Sequence, residues 1–230
     1  MNIFFFFYFN VIIILDGDSM SKINFSFLLN IFIVLFVFFG CLFMFLGIQF
    51  MPSNLVLEVS NIEMFKFYTV DSNILVGIAS LILSIYEYRS IKNNIKIPRG
   101  VILFKYIATS GILLTFLVTL LFLAPRYGFY AMYNNNNLFF HLIVPILSFI
   151  SFVFFEKSDI PYSYSFLGIL PMIIYSTYYG SMIVINGISN DFYGFLSGNI
   201  WNMIFIFPIM ILICILISFL LLFLHKKKNF

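Results

Sequence analysis

Six runs of this chain are long and apolar enough to cross a bilayer, and that one feature excludes most other architectures. They cover roughly Ile23 to Met51, Phe67 to Tyr88, Val101 to Ala124, Leu138 to Phe155, Phe166 to Asn186 and Ile200 to Leu224, and a helix needs about 20 apolar residues to span the hydrocarbon. Backbone polar groups must be satisfied internally in lipid, so only helices and closed barrels can cross it. None of the six runs alternates as a barrel strand does. Charged residues make up only 9% of the chain, far below the roughly 25% of soluble domains. The expectation is an all-α, polytopic membrane protein with six transmembrane helices, forming one domain over residues 20–230.

Lys and Arg set the orientation. Ten of the twelve fall on one side of a six-span arrangement: Lys22, Arg89, Lys92, Lys96, Arg99, Lys105, Lys157, Lys226, Lys227 and Lys228. Only Lys66 and Arg126 fall on the other. The positive-inside rule then predicts both termini in the cytoplasm, with the plasma membrane as the location and membrane lipids as the partners. So small a basic excess, spread over helix ends, is no nucleic-acid footprint. Pro52, Pro98, Pro125 and Pro161 are expected in the connecting loops, whereas Pro145, Pro171 and Pro208 fall inside helices and are expected to kink them.

Residues 1–19 stand apart. The apolar stretch Phe4 to Leu15 is too short to span, and it has neither a cationic start nor a small-residue cleavage site. It reads as an upstream extension, with Met20 as the physiological start. Phe, Ile, Asn, Tyr and Lys are abundant while Ala occurs at four positions, an AT-rich codon bias that accounts for the runs Phe4 to Phe7 and Asn134 to Asn137 without assigning them a role.

No metal site is expected, because the two histidines, His141 and His225, and the two cysteines, Cys41 and Cys214, have no ligand spacing. No Gly-rich phosphate loop occurs, and no cofactor is expected. Glu87 with Arg89, Glu156 with Lys157 and Asp159, and His225 beside three lysines read as solvated helix ends.

Two polar clusters lie just inside the membrane. The first, Tyr68-Thr-Val-Asp-Ser-Asn73, opens the second helix, with Thr69, Ser72 and Asn73 on one face by their i, i+3, i+4 spacing and Asp71 pointing elsewhere. A carboxylate at mid-depth costs about 2.5 to 3.5 kcal/mol, so Asp71 needs a reason to be there. The second cluster is His141 with Pro145 near the start of the fourth helix. Both helices run in the same direction, so Thr69 and His141 are expected at similar depth and within reach of each other. A hydroxyl beside an imidazole is the minimal nucleophile and base pair for acyl transfer. From periodicity alone, hydrogen bonding between helices is the simpler account of both residues.

At these residues the chain resembles the bacterial six-helix Pr-six-Pr membrane proteins, which belong with the animal androgen-inducible and FAR-type membrane proteins. The resembling stretches are Phe67 to Val76, Leu114 to Val118 leading to Leu123-Ala-Pro125, and His141 to Leu147. The resemblance implies an intramembrane threonine hydrolase acting on fatty acyl esters, with Thr69 as nucleophile and His141 as base. Ser72 or Asn73 would then donate to the oxyanion, with Asp71 nearby. The alternative is a non-catalytic subunit that binds or transports a hydrophobic solute, or a structural membrane protein. No ATP-binding motif is present, so an energised transporter would need a second chain.

Overall fold

The computed structural model describes residues 19–50, 59–157 and 159–229; the expectation for the first eighteen residues, and the loop containing Pro52, lie outside them. Among the described residues, six helices are long and apolar enough to cross a membrane: α1 (Met20–Leu46), α2 (Tyr68–Asn93), α3 (Arg99–Tyr127), α4 (Asn136–Phe155), α5 (Tyr162–Asn186) and α6 (Ile200–Lys228). The chain is thus an all-helical multi-pass membrane protein. Below, the end of the bundle that carries Arg89, Lys92 and Lys226 to Lys228 is called the basic end.

Local sequence sets the helix boundaries. Asn94 closes α2 in the left-handed conformation, φ 56° and ψ 31°, which Asn tolerates better than other side chains with a Cβ. Pro98 and Pro161 stand immediately ahead of α3 and α5, where the missing backbone donor is not needed. Between α1 and α2, a short 3-10 helix over Asn61–Lys66 carries a Lys66–Glu63 ion pair of 2.9 Å.

Pro125 departs from its expected place in a loop: it lies in the last turn of α3, within Ala124–Tyr127. The turn before it, Thr119–Leu123, is widened to a π turn in which the Ala124 amide reaches back to the Thr119 carbonyl. A proline cannot donate to the carbonyl four residues earlier and its ring crowds that carbonyl, so a wider turn relieves the clash. Pro145 has the same relationship to the π turn Phe139–Ile143, where the Val144 amide bonds the Phe139 carbonyl.

Glycine allows α1 to sit close to its neighbours. A Cβ on Gly77 would lie 2.9 Å from Val37 Cγ1, and one on Gly40 would lie 2.6 Å from Phe140 Cε1. Without a hydrophobic driving force between helices in lipid, such close backbone approach is what lets dispersion hold them together. Around this contact Ile33, Val37, Val76, Ala79, Ala108, Ile112 and Val144 form a buried cluster joining α1 to α4.

Candidate functional site

Thr69 is the second residue of α2. Its carbonyl accepts the Asn73 side-chain amide at 2.7 Å and the Ser72 hydroxyl at 3.1 Å. Ser72 Oγ also pairs with Thr115 Oγ1 on α3 at 2.8 Å. Asn73 Nδ2 reaches the Phe140 carbonyl on α4 at 3.2 Å. Ser72 and Asn73 therefore brace the backbone of Thr69. Asp71 is half-buried in the first turn of α2, where a carboxylate complements the positive end of the helix dipole. That is a structural reason for its position.

His141 is buried inside the π turn of α4 and its Nδ1 lies 2.7 Å from the Met132 carbonyl. A carbonyl only accepts, so Nδ1 carries the proton and the neutral ring keeps its lone pair on Nε2. Tyr133 packs edge-on against the imidazole, with centroids 6.4 Å apart.

The two residues meet across a cavity of about 310 Å³, lined by Thr69 and His141 together with Met44, Phe67, Tyr127, Met132, Asn137, Phe192 and Tyr193. No direct hydrogen bond joins them; they face shared space. Thr69 also borders a second, narrower and almost wholly apolar cavity of about 30 Å³ toward α5 and α6, with Leu114, Met172 and Phe207 among its walls. The larger space is in the size range of small-ligand sites, and the smaller holds about one water.

Three parts of this site escaped sequence reasoning. The loop between α5 and α6 folds back over it: the Tyr193 hydroxyl accepts the Tyr68 amide at 2.8 Å, and the phenol lies against Thr69. Burial pushes the Tyr193 phenol up to about 12, so it stays a neutral hydroxyl. Asp191 organises that loop, accepting the amides of Phe195 at 3.0 Å and Leu196 at 2.8 Å, and the Tyr179 hydroxyl. An Asp followed by Gly194 in a connecting segment is a turn signal that could have been weighed. The asparagine run is the third part. Asn134 to Asn137 are all buried. Asn136 donates to the Ile48 carbonyl at 3.3 Å and Asn137 to the Ala131 carbonyl at 3.2 Å, so the run builds the turn that delivers His141 and is more than codon bias.

At the basic end, the expectation of solvated helix ends fails for Glu87, Glu156 and His225, which are 1%, 2% and 0% exposed. Among the described residues no group of His, Cys, Asp and Glu is arranged to hold a metal ion. No family model, curated protein or solved structure matches the chain.

Proposed function

We propose that the protein is an intramembrane hydrolase of fatty acyl esters, with Thr69 as nucleophile and His141 as general base, in keeping with the Pr-six-Pr resemblance. The observation that carries this is the shared cavity: two residues 72 positions apart, on different helices, face one space of about 310 Å³. The His141 tautomer supports it, because Nε2 is left free to accept a proton.

In this reading the ester carbonyl enters between the two residues. Thr69 Oγ1 forms a bond to the carbonyl carbon as its proton passes to His141 Nε2, directly or through one water. The oxyanion develops at the N-terminus of α2, whose dipole favours negative charge, and the neutral Tyr193 hydroxyl, on the same cavity, is a side-chain donor for it. Collapse breaks the ester C–O bond, and the leaving alkoxide takes the proton from His141. Water, deprotonated by the same imidazole, then attacks the acyl carbon, the bond to Thr69 Oγ1 breaks, and Oγ1 takes the proton back from His141 as the fatty acid leaves. The apolar walls of Met44, Phe67, Met132 and Phe192 suit an acyl chain. On the Lys and Arg distribution, the site lies toward the outer leaflet of the plasma membrane and both termini are cytoplasmic.

The lack of a direct Thr69–His141 hydrogen bond favours a second reading, a cavity that binds a hydrophobic solute without chemistry. One experiment separates the two. A fluorophosphonate probe should label the full-length protein at Thr69, Thr69→Ala should abolish labelling, and His141→Ala should reduce it at least tenfold. Thr177→Ala, at an exposed hydroxyl bonded to the Ile173 carbonyl of its own helix, should leave it unchanged. A folded wild-type protein that neither labels nor cleaves long-chain acyl esters would overturn the hydrolase and leave the binding protein.

A further inference from the structure

α5 and α6 do not close against each other over their whole length. Between Ile173 and Ile185 on α5 and Met203 and Ile211 on α6 they leave an open groove of about 590 Å³. The half-buried Ser176 and Phe207 are walls of this groove and also of the narrow cavity that borders Thr69. Groove, narrow cavity and Thr69 therefore follow one another, with a shared partition between the first two. Two other grooves open on the apolar surface, one at Val37, Cys41 and Ile78 between α1 and α2, the other at Phe116, Ile146 and Leu220 between α3, α4 and α6. Neither shares a wall residue with a cavity at Thr69.

The chemistry of the groove suits a hydrocarbon chain. Ile173, Val184 and Ile185 are exposed along it. Its hydroxyls turn in on their own helix, Ser176 donating to the Met172 carbonyl and Thr177 to the Ile173 carbonyl at 2.9 Å, so they bring no unmet polarity into lipid. Gly180 keeps the groove deep, since a Cβ there would lie 3.0 Å from Phe207 Cε2. Exposed apolar side chains on two membrane-spanning helices meet lipid, and the occupant is accordingly an acyl chain.

The narrow cavity behind the partition holds about one water, so a chain passes only when a wall moves. Its tyrosine walls are tethered: Tyr68 donates to the Gly111 carbonyl at 3.1 Å, Tyr175 to the Lys66 carbonyl at 2.7 Å, and Tyr179 to Asp191. Phe207 has no such tether. Its neighbour Pro208 cannot donate to the Ile204 carbonyl, so this turn of α6 is held by one backbone bond fewer. On the same cavity, Thr119 is 1% exposed and its hydroxyl has no hydrogen-bond partner among the described residues. A buried hydroxyl left unpaired is costly, and an ester oxygen is an acceptor for it.

We propose that the groove between α5 and α6 is a binding site for the acyl chain of a membrane ester, and that the chain passes from it, behind Phe207, to the cavity at Thr69. Only the chemistry at Thr69 rests on the hydrolase reading; chain binding serves a solute-binding protein equally. Entry is sideways from the bilayer. The groove lies in the halves of α5 and α6 remote from the basic end, as Thr69 does at the start of α2, so the path stays within one leaflet.

The test uses a methyl hexadecanoate analogue with a diazirine on its chain, mixed with the full-length protein in phosphatidylcholine vesicles and photolysed. Mass spectrometry should find adducts at Ile173 and Val184 in the groove and at Leu114 and Met210 behind the partition, all displaced by excess unlabelled methyl hexadecanoate. Ser176→Leu, which fills the partition, should lower the inner adducts at least tenfold and leave those in the groove. Phe207→Ala, which opens it, should raise the inner adducts at least threefold. Because the two variants act in opposite directions, either decides alone if the other fails to fold. Leu220→Ala, in the groove between α3, α4 and α6, should change neither set. Adducts spread evenly over the three grooves and not displaced by the competitor would indicate bulk lipid and overturn the proposal. Inner adducts indifferent to Ser176→Leu or Phe207→Ala would overturn it too. Displaceable groove and inner adducts without fluorophosphonate labelling keep the acyl-chain site and remove the hydrolase. Labelling at Thr69 without displaceable adducts here keeps the hydrolase and removes the site.

Discussion

The side-chain amide of Asn73 ties the backbone of Thr69 to the carbonyl of Phe140, the residue before His141. Its nitrogen lies 2.7 Å from the Thr69 carbonyl and 3.2 Å from the Phe140 carbonyl. The Phe140 carbonyl needs this partner for a local reason. The Val144 amide, its ordinary partner four residues on, is drawn to Phe139 by the π turn, and the next residue is Pro145, which has no N–H to offer. The proline that widens α4 thereby frees a carbonyl, and Asn73 takes it up while holding Thr69.

Asn73→Ala should leave both carbonyls without that donor and lower stability by about 1 to 2 kcal/mol. It should also reduce fluorophosphonate labelling of Thr69 by more than the stability loss explains, because the registry between α2 and α4 is released. Thermal unfolding in detergent and labelling of the folded fraction give the two numbers. Labelling equal to wild type would show that Asn73 does not set the site.

Asp191→Ala removes the acceptor for two loop amides and the Tyr179 hydroxyl. Residues 187–199 should then be cut by protease at least tenfold faster, while the six helices stay intact. Tyr193 should lose its hold on the Tyr68 amide as the loop loosens, so labelling at Thr69 should fall as well. Unchanged proteolysis would place the organising role elsewhere in the loop.

Orientation is open to a thiol test. In a background with Cys41 and Cys214 replaced by Ser, cysteines introduced at Ile62 and at Lys96, both exposed and at opposite ends of the bundle, should differ in intact cells. An impermeant maleimide should react with the first and spare the second. The reverse pattern would invert the protein in the membrane and put the Thr69 cavity on the cytoplasmic side.

Burial of Glu156 has a pH consequence. A carboxyl whose folded pKa is raised binds more protons folded than unfolded, so its contribution is fully present below the unfolded value of about 4.3 and is lost as pH rises through the folded value. Thermal midpoints of the wild type should therefore fall with rising pH above about 4.3. Glu156→Gln should flatten that slope. An equal slope in the two proteins would show that Glu156 ionises in the folded protein as it does in the unfolded chain.

Sequence alone determined the six spans, because length and hydropathy are set residue by residue and lipid leaves a helix as the only open conformation for such runs. It also singled out Thr69 and His141, whose polarity in apolar surroundings needs no partner to be noticed. The bracing roles of Ser72 and Asn73 and the closing loop held by Asp191 were decided by contacts between residues as many as 125 positions apart. So was the burial of Glu87, Lys105 and Glu156, which near the ends of their spans look like solvated caps. Hydropathy is a sum over one segment, whereas a buried charge is tolerated or not according to what three other helices place against it, and only the packed bundle contains that information.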